Sequence, residues 1–225
     1  MSAVDDILEA SELELALVQL GDSPALKKAQ PAYAVRYVEK AIALGETDTG
    51  GVDPARLEAE VAERGFVIER VGGSAPASRA GFHLCAITTA DGSADGGGFV
   101  RLYVDEIAQK ASDLRFVGLD VDGEALLQLH LAHELFHVLE FAEKGTADER
   151  IPRLEVPSLM GRKGKIVSGV REVSAHAFAA RLVDGTCLPE AADLLQFVAE
   201  GSLSEEACTR RLYGARLLLE RAGCA

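Results

Sequence analysis

The chain has 225 residues, enough for one substantial domain or two small ones around a hydrophobic core. Apolar residues make up 48% of it, which excludes an intrinsically disordered chain. With 23 basic against 36 acidic side chains the formal charge is −13, which speaks against a nucleic-acid-binding surface, because phosphate binding needs clustered Lys and Arg.

The start, Met1-Ser-Ala-Val-Asp-Asp-Ile, is acidic and lacks the basic and apolar regions of a secretory signal. No apolar run approaches the length of a membrane span. Cys85, Cys187, Cys208 and Cys224 are scattered without C-x-x-C pairing, as expected of reduced thiols. Together these features predict a cytoplasmic protein with neither membrane nor nucleic acid as partner.

Residues 1–64 read as helices. Val4, Ile7, Leu8, Leu15 and Val18 fall near helical spacing up to Gly21. Ser23-Pro24 is a cap followed by a first-turn proline, and the helix it opens extends to Leu44-Gly45 with a restart at Pro31. Asp53-Pro54 repeats the signal and opens a short helix to about Arg64. After Gly65 the period changes. Residues 66–71, 82–89 and 99–104 are β-rich runs bounded by Gly, Ser, Pro and Asp. The Gly-rich stretch at 91–98 is a hairpin tip or a lid. A helix follows over about 105–114, and Asp120-Val-Asp-Gly-Glu124 reads as a turn that caps the next one.

That next helix, from Glu124 to about Phe141, contains no Gly or Pro and carries His133-Glu134-Leu135-Phe136-His137. Residues four apart share a helical face, so His133 and His137 can present nitrogens to one ion. Neutral imidazole suits Zn²⁺, at about 2.0–2.1 Å. Glu134, turned roughly 100° around the helix, is placed to serve as general base in the H-E-x-x-H arrangement. Residues 143–170 form a long excursion rich in charge, Pro and Gly. Helices then follow over about 170–183, 189–200 and 204–222.

A catalytic zinc needs a third protein ligand. Glu140 and His130 lie on the same helix as the pair, and ligands in one straight row cannot converge tetrahedrally; Glu140 is two turns, about 10 Å, from His133. Glu172 is the strongest candidate: it opens a separate helix, and small Ser174, Ala175 and Ala179 allow close approach to the metal helix. His176 is one turn further on, able to bond a ligand or stabilise an oxyanion. Tyr103 and Arg171 are further donors by type. Asp148, in Gly145-Thr-Ala-Asp148, resembles the aspartate-supplying piece of the deuterolysin type and is the rival third ligand.

His133-Glu-Leu-Phe-His137, followed by Glu172-x-x-Ala-x-x-Phe-Ala-Ala180 and a later Pro189, resembles the ImmA/IrrE type of gluzincin metallopeptidase over about residues 100–190. Phe136 stands where that family commonly has Gly, and 143–170 is a longer insert. The resemblance implies a zincin-like fold, and with the elements read above the expected class is α+β: N-terminal helices over 1–64, a small and mostly antiparallel sheet, a metal-binding helix and C-terminal helices. Residues 65–225 would then be the metallopeptidase domain, unless 1–225 is one continuous unit. It further implies a zinc site of His133, His137 and Glu172, catalysis by Glu134, and a protein or peptide substrate, often a regulatory one, in a bacterial or phage cytosol. In zincins an edge strand beside the metal helix pairs with substrate, and residues 99–104 resemble that element. The alternative from another class is a non-catalytic zincin-like module that binds a partner.

Overall fold

In the computed structural model, which describes residues 2–78, 83–92, 97–185 and 187–224, helices carry both ends of the chain and a small sheet lies between them. The N-terminal half begins with α1 (Ala3–Leu8), α2 (Glu12–Leu20), α3 (Pro24–Lys28) and the long α4 (Pro31–Asp48). The apolar spacing runs unbroken from Val4 to Val18, yet the chain breaks between α1 and α2. Two capping boxes explain the break: Ser2 pairs reciprocally with Asp5, and Ser11 with Glu14. Pro31 separates α3 from α4 as its missing N–H requires.

Gly45 does not end a helix; it lies inside α4. A Cβ there would stand 2.9 Å from the Phe178 backbone nitrogen and 3.0 Å from the Ser174 carbonyl carbon. Only glycine lets α4 approach so near to α9 (Val170–Leu182), where the Ser174 hydroxyl donates to the Ala41 carbonyl at 2.8 Å. The crossing matters because α9 also carries Glu172.

A short 3-10 turn and α5 (Leu57–Glu63) lead into β1 (Phe66–Val71), β2 (Ala86–Ala90) and β3 (Gly98–Tyr103). The strand order is β1-β3-β2, with β3 parallel to β1 and antiparallel to β2. The sheet is therefore mixed, and β3 is its middle strand. Residues 99–104 are not the edge expected from sequence: Val100 and Leu102 are fully buried, and the edge beside the helix of His133 and His137 is β2. Residues 93–96 of the Gly-rich tip lie outside the described residues; Asp91 N donates to the Gly97 carbonyl at 2.9 Å, closing the β2–β3 connection.

Next come α6 (Val104–Phe116) and α7 (Gly123–Leu139), the latter capped by the Asp122 carboxylate on Glu124 N. A single π turn over Glu140–Lys144 ends α7, and α8 (Ala147–Arg150) follows. The excursion is not irregular throughout: β4 (Leu154–Ser158) and β5 (Gly161–Lys165) form an antiparallel hairpin. Finally α10 (Pro189–Ala199) and α11 (Glu205–Ala222) pack back on the N-terminal helices, so buried apolar side chains from Ile7 to Ala215 form one connected core. No helix among the described residues is long and apolar enough to cross a membrane.

Candidate metal centre

Facing sides of α7 and α9 bring three ligand-type side chains together, with His137 buried, His133 half-buried and Glu172 exposed. One ligand atom each from His133, His137 and Glu172 lies within 4.8 Å of the others. The Glu172 carboxylate spans the gap, with Oε2 at 3.2 Å from His133 Nε2 and Oε1 at 3.6 Å from His137 Nε2. Two imidazoles and a carboxylate form a donor set that suits Zn²⁺ in a three-ligand site.

Electrostatics agree with this chemistry. Burial opposes charge on His137, but hydrogen bonds to Glu140 and Glu172 outweigh it and lift its pKa to about 10. Partial desolvation by the surrounding helices opposes charge on Glu172, yet bonding from His133 and His137 holds its carboxyl far below the usual range. A positive charge between these groups, proton or metal, is stabilised.

Behind the three stands a supporting shell. His137 Nδ1 lies 2.8 Å from Glu140 Oε2 and donates there, so Nε2 is the nitrogen at which an ion would take the place of the proton now shared with Glu172. Glu140 is itself fixed: Arg171 Nη2 donates to Oε2 at 2.7 Å and Ala147 N to Oε1 at 2.6 Å. Burial raises the Glu140 pKa, but His137 and Arg171 outweigh that and keep it low. Glu140 is thus no ligand, as helical geometry predicts; it orients one. Its spacing of three from His137 on one helix was a readable sign of contact.

Glu134 is buried and turned away from the ligand row. Its Oε2 accepts a 2.7 Å hydrogen bond from the Thr88 hydroxyl on β2. That contact ties the sheet edge to α7, and nothing in the spacing of the sequence announces it.

A cavity of about 540 Å³ opens over the centre, walled on one side by Cys85–Thr88 and containing His133, Glu134, His137 and Glu172. His176 lines it, with its ring centroid 4.8 Å from that of His133. Burial, together with the neighbouring His133, pushes the His176 pKa down to about 3, so the imidazole is neutral. Asp193 lines the far end, ion-paired with Lys110, which is 2% exposed; burial opposes the Asp193 charge, but Lys110 outweighs it and brings the pKa to about 2. His130 also lines the cavity and takes no place in the ligand set; burial holds it neutral.

Two sequence candidates fall elsewhere. Tyr103 is buried at the end of β3, where its backbone N donates to the Cys85 carbonyl at 2.8 Å, and is not among the described residues that line the cavity. The cavity wall is built from β2, which lies outside β3. Asp148 sits in α8, outside both the ligand cluster and the cavity lining. Comparison with protein-family models, curated proteins and solved structures returned no match.

Proposed function

We propose that this chain is a zinc-dependent peptidase of the gluzincin type, with a zincin-like architecture resembling the ImmA/IrrE group. The observation that carries the reading is the convergence of His133, His137 and Glu172 beside a Glu134 held by a separate bond. When bound, zinc supplies a Lewis acid that polarises a carbonyl and lowers the pKa of water.

The chain's residues divide the remaining work. Glu134 takes a proton from the attacking water and returns it to the leaving nitrogen, with Thr88 keeping its carboxylate in one orientation. Glu140 and Arg171 hold His137 in the tautomer that leaves Nε2 free for the ion. His176, neutral and within the cavity, can donate one N–H to the carbonyl oxygen as negative charge develops on it. The substrate is an extended peptide segment lying along β2, whose outer edge has no partner strand among the described residues.

The test is Glu134→Gln in the full chain, assayed on a mixed peptide library by mass spectrometry after zinc loading. Wild type should cleave, and the variant should lose roughly 100-fold or more in rate while keeping its metal. A zinc-loaded wild type that cleaves nothing, or a variant that cleaves as fast, would overturn peptidase chemistry at this site.

A further inference from the structure

Sharing no lining residue with the cavity over the candidate metal centre, α2, α3, the start of α4 and α11 enclose a second groove of about 480 Å³. That size lies within the range of small-ligand sites, roughly 300–1,000 Å³. Its floor is apolar, formed by Leu17, Val18, Leu26, Ala215 and Leu218. Its rim is cationic: Lys27, Arg210, Arg211 and Arg221 against the single carboxylate of Asp22. Lys27 pairs with Asp22 at 3.1 Å and Arg210 with Glu206 at 2.8 Å. Arg211 and Arg221 make no direct ion pair among the described residues, although Arg211 acts on Asp22 through space and helps to lower its pKa. In a chain of net charge −13 this concentration of positive charge is local to the groove.

A backbone feature points the same way. Gly214 lies in the interior of α11, where glycine weakens a helix relative to alanine. A Cβ at Gly214 would meet nothing within 4 Å. Packing inside the chain therefore gives no reason for glycine there; an occupant lying against the helix would.

We propose that this groove binds a free amphipathic carboxylate, with its acyl tail over the apolar floor at Gly214 and its head paired with Arg211 and Arg221. Apolar floor and cationic rim must both be used, which excludes a cationic amphiphile and a bare small anion.

The test is calorimetric titration of the full chain with decanoate below its micelle concentration. Saturable binding near one decanoate per chain is expected, with acetate and decylammonium at least about tenfold weaker. Gly214→Leu, and Arg211→Glu combined with Arg221→Glu, should each weaken decanoate about tenfold or more with unchanged circular dichroism. Gly214→Ala, which favours the helix and so secures folding, should also bind more weakly than wild type. Absence of saturable binding, equal binding of decylammonium, or unchanged affinity in the variants would overturn the proposal. A dimer in sedimentation that Arg211→Glu dissolves would assign the groove to a second copy and overturn it equally.

Discussion

Two mid-helix glycines should respond to alanine with opposite signs. At Gly45 the added Cβ would meet the backbone of α9, 2.9 Å from Phe178 N and nearer still to the Ser174 carbonyl oxygen, where ordinary contact begins at 3.4 Å. Backbone on both sides cannot swing away as a flexible side chain could, so α4 and α9 must part by roughly 1 Å or strain. Overpacking of this kind costs about 1–3 kcal/mol, and the upper end applies to a clash with main chain. Alanine's better helix propensity returns about 1 kcal/mol. The net loss is about 2 kcal/mol, or roughly 4–8 °C in Tm for a chain of this size. Gly214→Ala has the propensity gain and no clash, since nothing lies within 4 Å, and should raise Tm by about 2–4 °C. Because Glu172 sits two residues before Ser174, Gly45→Ala should also weaken zinc binding, as ligand distances tolerate only about ±0.2 Å. Calorimetric unfolding and zinc competition titrations measure both effects. A Gly45→Ala protein as stable as wild type would refute the close helix crossing.

Two other changes probe groups around the same crossing. Glu140→Gln removes the charged anchor of His137 and should weaken zinc affinity about 10–100-fold, read by chelator competition; unchanged affinity would deny Glu140 its orienting role. Asp48 is 3% exposed and bonded by Lys144 Nζ at 3.1 Å and Arg150 Nη2 at 2.8 Å. Burial opposes its charge, but these cations outweigh it and lower its pKa. The stabilisation is fully present above the unfolded carboxylate pKa of about 3.9 and is lost as pH falls through the lower folded value. Asp48→Asn should therefore cost about 1–3 kcal/mol at pH 7, with both cations partly exposed, and the gap to wild type should close in acid. Urea unfolding at several pH values checks this, and a gap independent of pH would contradict it.

What sequence revealed and what it hid follow the difference between local and non-local causes. Helix α7 was legible because Asp122 caps it and no Gly or Pro interrupts it after Gly123. Pro24, Pro31, Pro189 and Ser204 marked helix starts by their own chemistry. Gly45 misled because a glycine at the end of an apolar run reads as a stop, while its cause lies on α9 far along the chain. Strand order is equally non-local: nothing within residues 98–103 tells that β1 will pair on one side and β2 on the other. From sequence alone residues 99–104 therefore read as the edge strand with Tyr103 near the site, whereas β2 holds that edge. The hairpin at 154–165 stayed hidden because Arg162-Lys163-Gly164-Lys165 has no apolar alternation. Within the site, His133, His137 and Glu172 were readable from residue type and helix geometry. Glu140's anchoring needed Arg171 and Ala147 brought back against it, and Thr88's contact needed the sheet edge in place.

Whether His133, His137 and Glu172 form a three-ligand metal centre is read out by elemental analysis of the purified chain beside Glu172→Ala. The expected result is about one zinc per wild-type chain, with Glu172→Ala losing it while remaining folded. A wild-type chain that holds no metal after zinc is offered, or a Glu172→Ala chain that holds as much as wild type, would contradict it.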